Sequence, residues 1–197
     1  VKARFGTGND LEIFHDGSHS RIKDTGTGAL VLQTDNFYLN KADDSATMIH
    51  ASEDGIVRFP KNPVCIATSS SNPSFSRGSQ KYPFNSISYE RHSGTSNFDA
   101  TTNYRFTCPT DGVYQFDVSL NLYGLTNDNV KVSIKKNGST EYALVRKKWQ
   151  ISEENIHGGA ILNAAASDYF EVWINPSDSG TGSGGIEWTR WTTVLIG

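Results

Sequence analysis

Two adjacent carboxylate pairs, Asp43-Asp44 and Glu153-Glu154, are the first candidates for acid–base chemistry in these 197 residues. Glycoside cleavage needs two carboxyls flanking one bond, roughly 5–10 Å apart. Neighbours along a strand point to opposite faces, so neither pair is arranged for that work. Carboxylates distant in sequence could still meet across a boundary between copies, which keeps a polysaccharide-degrading spike as a rival reading. No Gly-x-Ser-x-Gly elbow occurs. The glycine-rich stretch Gly180-Thr181-Gly182-Ser183-Gly184-Gly185 lacks the Lys-Ser/Thr of a phosphate loop and precedes a strand, so it reads as a flexible loop. His15 and His50, repeated around a threefold axis, would bring three imidazoles near one metal; each equally suits a turn histidine bonded to backbone. Asn127-Asp128-Asn129 and Asp43-Asp44 offer hard oxygens without the interleaved spacing of a calcium loop. We therefore assign no catalytic residue, no metal ligand and no cofactor.

The two cysteines, Cys65 and Cys108, are too few for a disulfide framework or a four-ligand zinc site and read as small buried thiols, with a bridge between them left open. Formal net charge is −3, and residues 1–62 carry 7 basic against 9 acidic side chains. Neither part is basic enough to exchange counterions with DNA or RNA, so nucleic acid is excluded as the ligand. No apolar run approaches the roughly 20 residues of a membrane span. The first residue is Val1 and no signal peptide is visible, as expected of a fragment or processed product.

These groups must be positioned by strands. A hydrophobic content of 36% with 18 glycines implies a thin core and frequent turns. Residues 1–62 show short apolar alternations at Leu11/Ile13, Leu30/Leu32, Phe37/Leu39 and Val57/Phe59. They are divided by His15-Asp16-Gly17, Thr25-Gly26-Thr27-Gly28 and Glu53-Asp54-Gly55. Such sparse strands cannot close a dry core in one chain, and several copies around an axis would share one. This segment reads as a trimeric stalk with Leu11, Ile13, Leu30 and Leu32 at its interface. Pro60 and Pro63 mark the junction at residues 62/63.

Residues 63–197 carry longer period-two patterns. Tyr114, Phe116, Val118, Leu120 and Leu122 alternate with polar residues between Gly112 and Tyr123. Val130 to Lys135 does likewise, and Asn137-Gly138 predicts a tight hairpin. Tyr142/Leu144, Ile156–Ala164 and Phe170–Ile174 continue the series. The nearest helical candidate, residues 146–155, has no continuous apolar stripe. The class is all-β, a sandwich or jelly roll. The last strand, Ile186 to Ile196, is apolar on both faces. One carries Ile186, Trp188, Val194 and Ile196; the other, with Trp191 and Leu195, is expected against a neighbouring subunit.

Phe98-Asp99, Tyr104-Arg105-Phe106-Thr107-Cys108-Pro109 and Asp111-Gly112-Val113-Tyr114-Gln115-Phe116 resemble the central signature of the complement q-subunit head, one of the tumour-necrosis-factor-like jelly rolls. Gly158–Leu162, Asp168–Val172 and Thr192–Ile196 resemble its later strands in the same order. The resemblance covers about residues 64–197. It implies a ten-stranded jelly roll, a tight homotrimer and ligand recognition without catalysis. The collagen-like Gly-X-Y stretch of complement proteins is missing upstream. Instead Asp10–Ser18 and Ile22–Leu30, within residues 6–59, resemble a repeat of bacteriophage tail fibres, including those of marine cyanobacterial phages, which are intertwined β trimers.

With the stalk entering near Pro63, the resemblance to the complement q-subunit head implies that the Gly112–Tyr123 strand runs away from it. Alternating strand directions then put the loops after Tyr123, around Trp149–Asn155 and at Pro176–Gly185 on the free end. These hold Tyr123, Asn127, Asp128, Trp149, Glu153, Glu154 and Asp178, aromatics beside amides and carboxylates that suit sugar or protein recognition. The expected function is a homotrimeric tail-fibre tip in the virion, contacting other tail proteins and a host polysaccharide or outer-membrane component without membrane insertion. An architectural segment without a receptor is the alternative.

Overall fold

The computed structural model describes residues 1–92, 95–125, 129–148, 152–177 and 181–197. Among them every regular element is a strand.

The N-terminal part forms two separate three-stranded antiparallel sheets. The first pairs β1 (Lys2–Phe5), β2 (Leu11–His15) and β3 (Ser20–Asp24); the second pairs β4 (Phe37–Asn40), β5 (Thr47–Ala51) and β6 (Val57–Arg58). Residues 29–35, where Leu30 and Leu32 alternate, form no strand, contrary to expectation. Leu30 and Leu32 have no paired strand beside them and stand 47% and 61% exposed. Lys2 and Arg4 both meet Glu12, and Asp16 pairs with Arg21. Exposed pairs of this kind add little to stability. None of residues 1–62 is buried. These sheets are held by ladder hydrogen bonds, with no apolar interior of their own.

From Val64 onward two larger sheets face each other. Their strands are β7 (Val64–Thr68), β8 (Ser74–Phe75), β9 (Gln80–Lys81), β10 (Ser86–Arg91), β11 (Phe98–Asp99), β12 (Arg105–Thr107), β13 (Gly112–Tyr123), β14 (Asn129–Lys136), β15 (Thr140–Lys148), β16 (Glu153–Ala164), β17 (Tyr169–Pro176), β18 (Gly182–Gly184) and β19 (Arg190–Leu195). The seven-stranded sheet runs β10-β7-β19-β13-β18-β8, with β16 along β13; the six-stranded sheet runs β11-β12-β17-β14-β15, with β9 on β17. This is a jelly roll. Its strands exceed the expected ten because β8, β9, β11 and β18 are pieces of two or three residues.

The alternating residues of β13 supply the core, with Tyr114, Phe116, Leu120 and Leu122 fully buried. Phe116 meets Phe170 of the opposite sheet with ring centroids 4.4 Å apart. Each such side chain stabilises by roughly 1.5–3 kcal/mol. Cys65 and Cys108 are free thiols within this core, both pushed up to about 12, chiefly by burial.

The last strand is shorter than its pattern suggests, and its faces are reversed. Residues 185–189 leave the sheet, with Trp188 at φ 62°. The partition of the residues between two faces is kept, but the face of Ile186, Trp188, Val194 and Ile196 turns outward. Thr189, Trp191, Thr193 and Leu195 face inward; Trp191 is 1% exposed and Leu195 packs on the core. Trp191 is therefore not free to meet another subunit, and Leu195 is only partly free to do so. Trp188, Ile186 and Ile196 are instead exposed.

Candidate functional site

The ends of the sandwich are set by backbone bonds. Leu195 N–H donates to Pro63 at 3.1 Å and Ile196 N–H to Val113 at 2.8 Å, so Pro63, the start of β13 and the C-terminus share one end. The Asn137-Gly138 hairpin lies at that end too, both residues at positive φ (52° and 70°), as a type I′ turn requires. Its Asn137 side chain bonds Asp168 at 2.7 Å and the Tyr169 N–H at 2.9 Å.

At the far end, Gly124 N–H donates to Ser152, Gly185 N–H to Asn121 and Ser177 N–H to Asn129. Of the seven residues expected there, Tyr123 and Glu153 face each other across β13 and β16. Asn121 joins them: its amide donates to the Tyr123 hydroxyl at 3.0 Å and to Glu153 Oε1 at 3.2 Å. Burial, then Glu153 and Glu187, hold the Tyr123 phenol above its ordinary range. Asn121 Oδ1 is buried without a partner among the described residues. Glu154 is separated from this group; it lies opposite Leu122, on the other face from Glu153, and pairs with Lys147 of β15. Asn127, Asp128, Trp149 and Asp178 lie outside the described residues. Phenol, amide and carboxylate together can bond hydroxyl groups of a ligand; among the described residues no nucleophile–base pair accompanies them.

Asn121 went unrecognised because its polar place in the alternation gives no sign of burial. Trp188 was grouped with Val194 and Ile196 and expected to point inward; that face turns outward, and a strand apolar on both faces gives no sign of which one meets the core.

The outward face of the seven-stranded sheet is a second candidate surface. One row across it reads Tyr89, Ile66, Thr192, Asp117 and Gly159; the next reads Val64, Val194, Gln115 and Ile161. Tyr89 is 50% and Ile161 63% exposed. Beside them a cavity of about 450 Å³ lies between Trp188, Ile186, Arg190, Ser119, Ser88, Thr68 and Thr189. In the N-terminal sheets, Leu11 is half-buried and Ile13 exposed. His50 stacks on Tyr38 at 4.4 Å and reaches Asn36, and His15 sits 3.4 Å from the Ser20 hydroxyl. Among the described residues, no three His, Cys, Asp or Glu side chains converge.

Two facing antiparallel sheets with this strand order define a jelly-roll recognition or structural module. The C1q-domain family model matches residues 65–192, and the chain belongs to that family. Domains of this kind are generally binding or structural modules, and their homologues form homotrimers. Among solved structures, murine APRIL is similar at a TM-score of 0.50 and 13% identity, covering 69% of this chain and all of its own. Eiger, a tumour necrosis factor from S. frugiperda, is similar at 0.51 and 10% identity, covering 70% of this chain and 92% of its own. At these identities the likeness concerns the fold alone. No curated protein matches the sequence.

Proposed function

We propose that this chain is a homotrimeric attachment protein, the receptor-binding tip of a bacteriophage tail fibre that fixes the virion to a host-surface polysaccharide or outer-membrane component. The observation that carries this reading is that no residue of 1–62 is fully buried in a single copy, while Phe5, Ile13, Ile22, Leu30, Val31 and Leu32 stand exposed. Exposed apolar surface on this scale marks an interaction site. A shared interior built from three copies removes it. The resemblance of Asp10–Ser18 and Ile22–Leu30 to tail-fibre repeats supports the same assembly.

In the head, the outward face with Tyr89, Val64, Val194 and Ile161 meets the neighbouring copies. Trp188 and Ile186 extend that interface toward the free end. The six-stranded sheet and the Tyr123–Glu153 end then remain open to a ligand. The module binds and does not catalyse.

Light scattering on the full chain tests the assembly, with three times the chain mass expected. Ile161→Asp should reduce that mass while keeping the β-sheet circular dichroism signal. Purified wild-type protein should also compete with phage for adsorption to host cells. A wild-type mass of one chain defeats the trimer, and absence of competition defeats receptor binding.

A further inference from the structure

On the six-stranded sheet, Lys131 of β14 lies directly opposite Arg146 of β15, and Asn175 of β17 lies on the other side of Lys131. Like charges facing each other across antiparallel strands destabilise the sheet. Glu141 reaches Lys131 at 3.0 Å, but its other oxygen is taken by Ser133 at 2.6 Å. Arg146 makes no ion pair among the described residues, and neither does Lys148, which lies opposite Asn129 on the same face. Between these strands is a pocket of about 150 Å³ lined by Asn129, Lys131, Arg146, Asn175 and Ser177. The side-chain amides of Asn129 and Asn175 have no hydrogen-bond partner among the described residues.

We infer that this pocket binds the sulfate or carboxylate group of an acidic polysaccharide, an inference that rests on the attachment function proposed above and gives it a ligand class. An uncompensated guanidinium presents the fork that fits two oxygens of one such group. The facing ammonium shares its charge, which turns the repulsion between Lys131 and Arg146 into attraction for the ligand. Two unengaged amides at the rim supply donors and acceptors for adjacent sugar hydroxyls. The pocket holds a single small anion. Duplex nucleic acid requires a longer track of phosphate contacts, and a bilayer surface favours apolar side chains beside the charges.

The test uses immobilised protein comprising all 197 residues in about 0.1 M salt, where surface charges still act over roughly 10 Å. The probes are a sulfated dextran oligosaccharide, an oligogalacturonate and neutral dextran of equal length. At least one acidic probe should bind and the neutral one should not. Arg146→Gln should weaken binding roughly tenfold, the scale of one charge-assisted hydrogen bond. Lys61→Gln, an exposed cation in the N-terminal part, should leave it unchanged. Binding of duplex DNA or anionic vesicles as tight as the sugar, equal loss from both substitutions, or no loss from Arg146→Gln would overturn the assignment. A trimer that competes for host adsorption yet ignores both acidic probes defeats this inference and leaves the attachment function standing.

Discussion

The Trp191 ring meets Phe98 nearly edge-on, with centroids 5.2 Å apart and planes at 78°. Phe84 lies on another side of the same indole at 5.7 Å, and Tyr82 continues the chain of rings at 4.8 Å from Phe84. The last strand is thereby locked to segments more than 90 residues earlier in the chain. Such a contact is costly to form and decisive once made. Trp191→Ala should destabilise the head by about 3–5 kcal/mol through loss of the ring and the cavity left behind. Trp191→Phe should cost about 1–2 kcal/mol, because the indole Nε1 is buried without an acceptor among the described residues and its removal forfeits no hydrogen bond to them. Equilibrium urea unfolding at fixed protein concentration distinguishes the two; equal losses would mean the indole nitrogen has an unseen partner.

Asp168 ties the Asn137-Gly138 turn to the Ala165–Ser167 loop. Its carboxylate is held down to about 2, first by Lys136 at 2.6 Å, then by the Asn137 amide and the Ala165 N–H. A carboxyl whose folded pKa lies below its unfolded value near 3.9 stabilises the protein above that pH and ceases to do so as pH falls toward 2. Asp168→Asn should therefore cost about 1 kcal/mol at pH 7, allowing for solvent around the pair. The gap between variant and wild type should close between about pH 4 and pH 2. Thermal melts at pH 7, 4 and 2 measure it. A constant difference across that range would show that the charge contributes nothing.

How far the sequence foretold this arrangement depended on how local each cause is. The Gly112–Tyr123 strand and the Asn137-Gly138 turn were legible because a period of two and a pair of positive-φ residues are properties of a few neighbours. Strand direction was taken from the family resemblance for Gly112–Tyr123 and by alternation for the strands after it, which brought Tyr123 and Glu153 together at the end away from Pro63. The facing of Trp191 and Leu195 was misread because Ile186 to Ile196 is apolar on both faces, and which face turns inward is decided by rings such as Phe84 and Phe98 far away in the chain. The encounter of Lys131 with Arg146 was equally hidden. It depends on a register shift between Val132 and Ser133 that no pattern announces.

The N-terminal part gives the sharpest test of how stability is divided along the chain. Its two sheets have three strands each and bury none of their residues, whereas the head encloses rings such as Phe106 and Phe170 completely. A small sheet without an apolar interior does not offset the roughly 1–2 kcal/mol of backbone entropy that each ordered residue costs. Residues 1–62 alone should accordingly show a coil spectrum at micromolar concentration, and residues 63–197 alone should keep a cooperative unfolding transition. In the full chain, Ile13→Asp should abolish protection of β2 amides in hydrogen exchange. That residue sits between Ala3 and Ile22 on one exposed apolar row. Protection of the β13 amides should persist, because their burial lies entirely within the head. If residues 1–62 fold by themselves as a monomer, the N-terminal part needs no other copy, and the case for a shared interior falls.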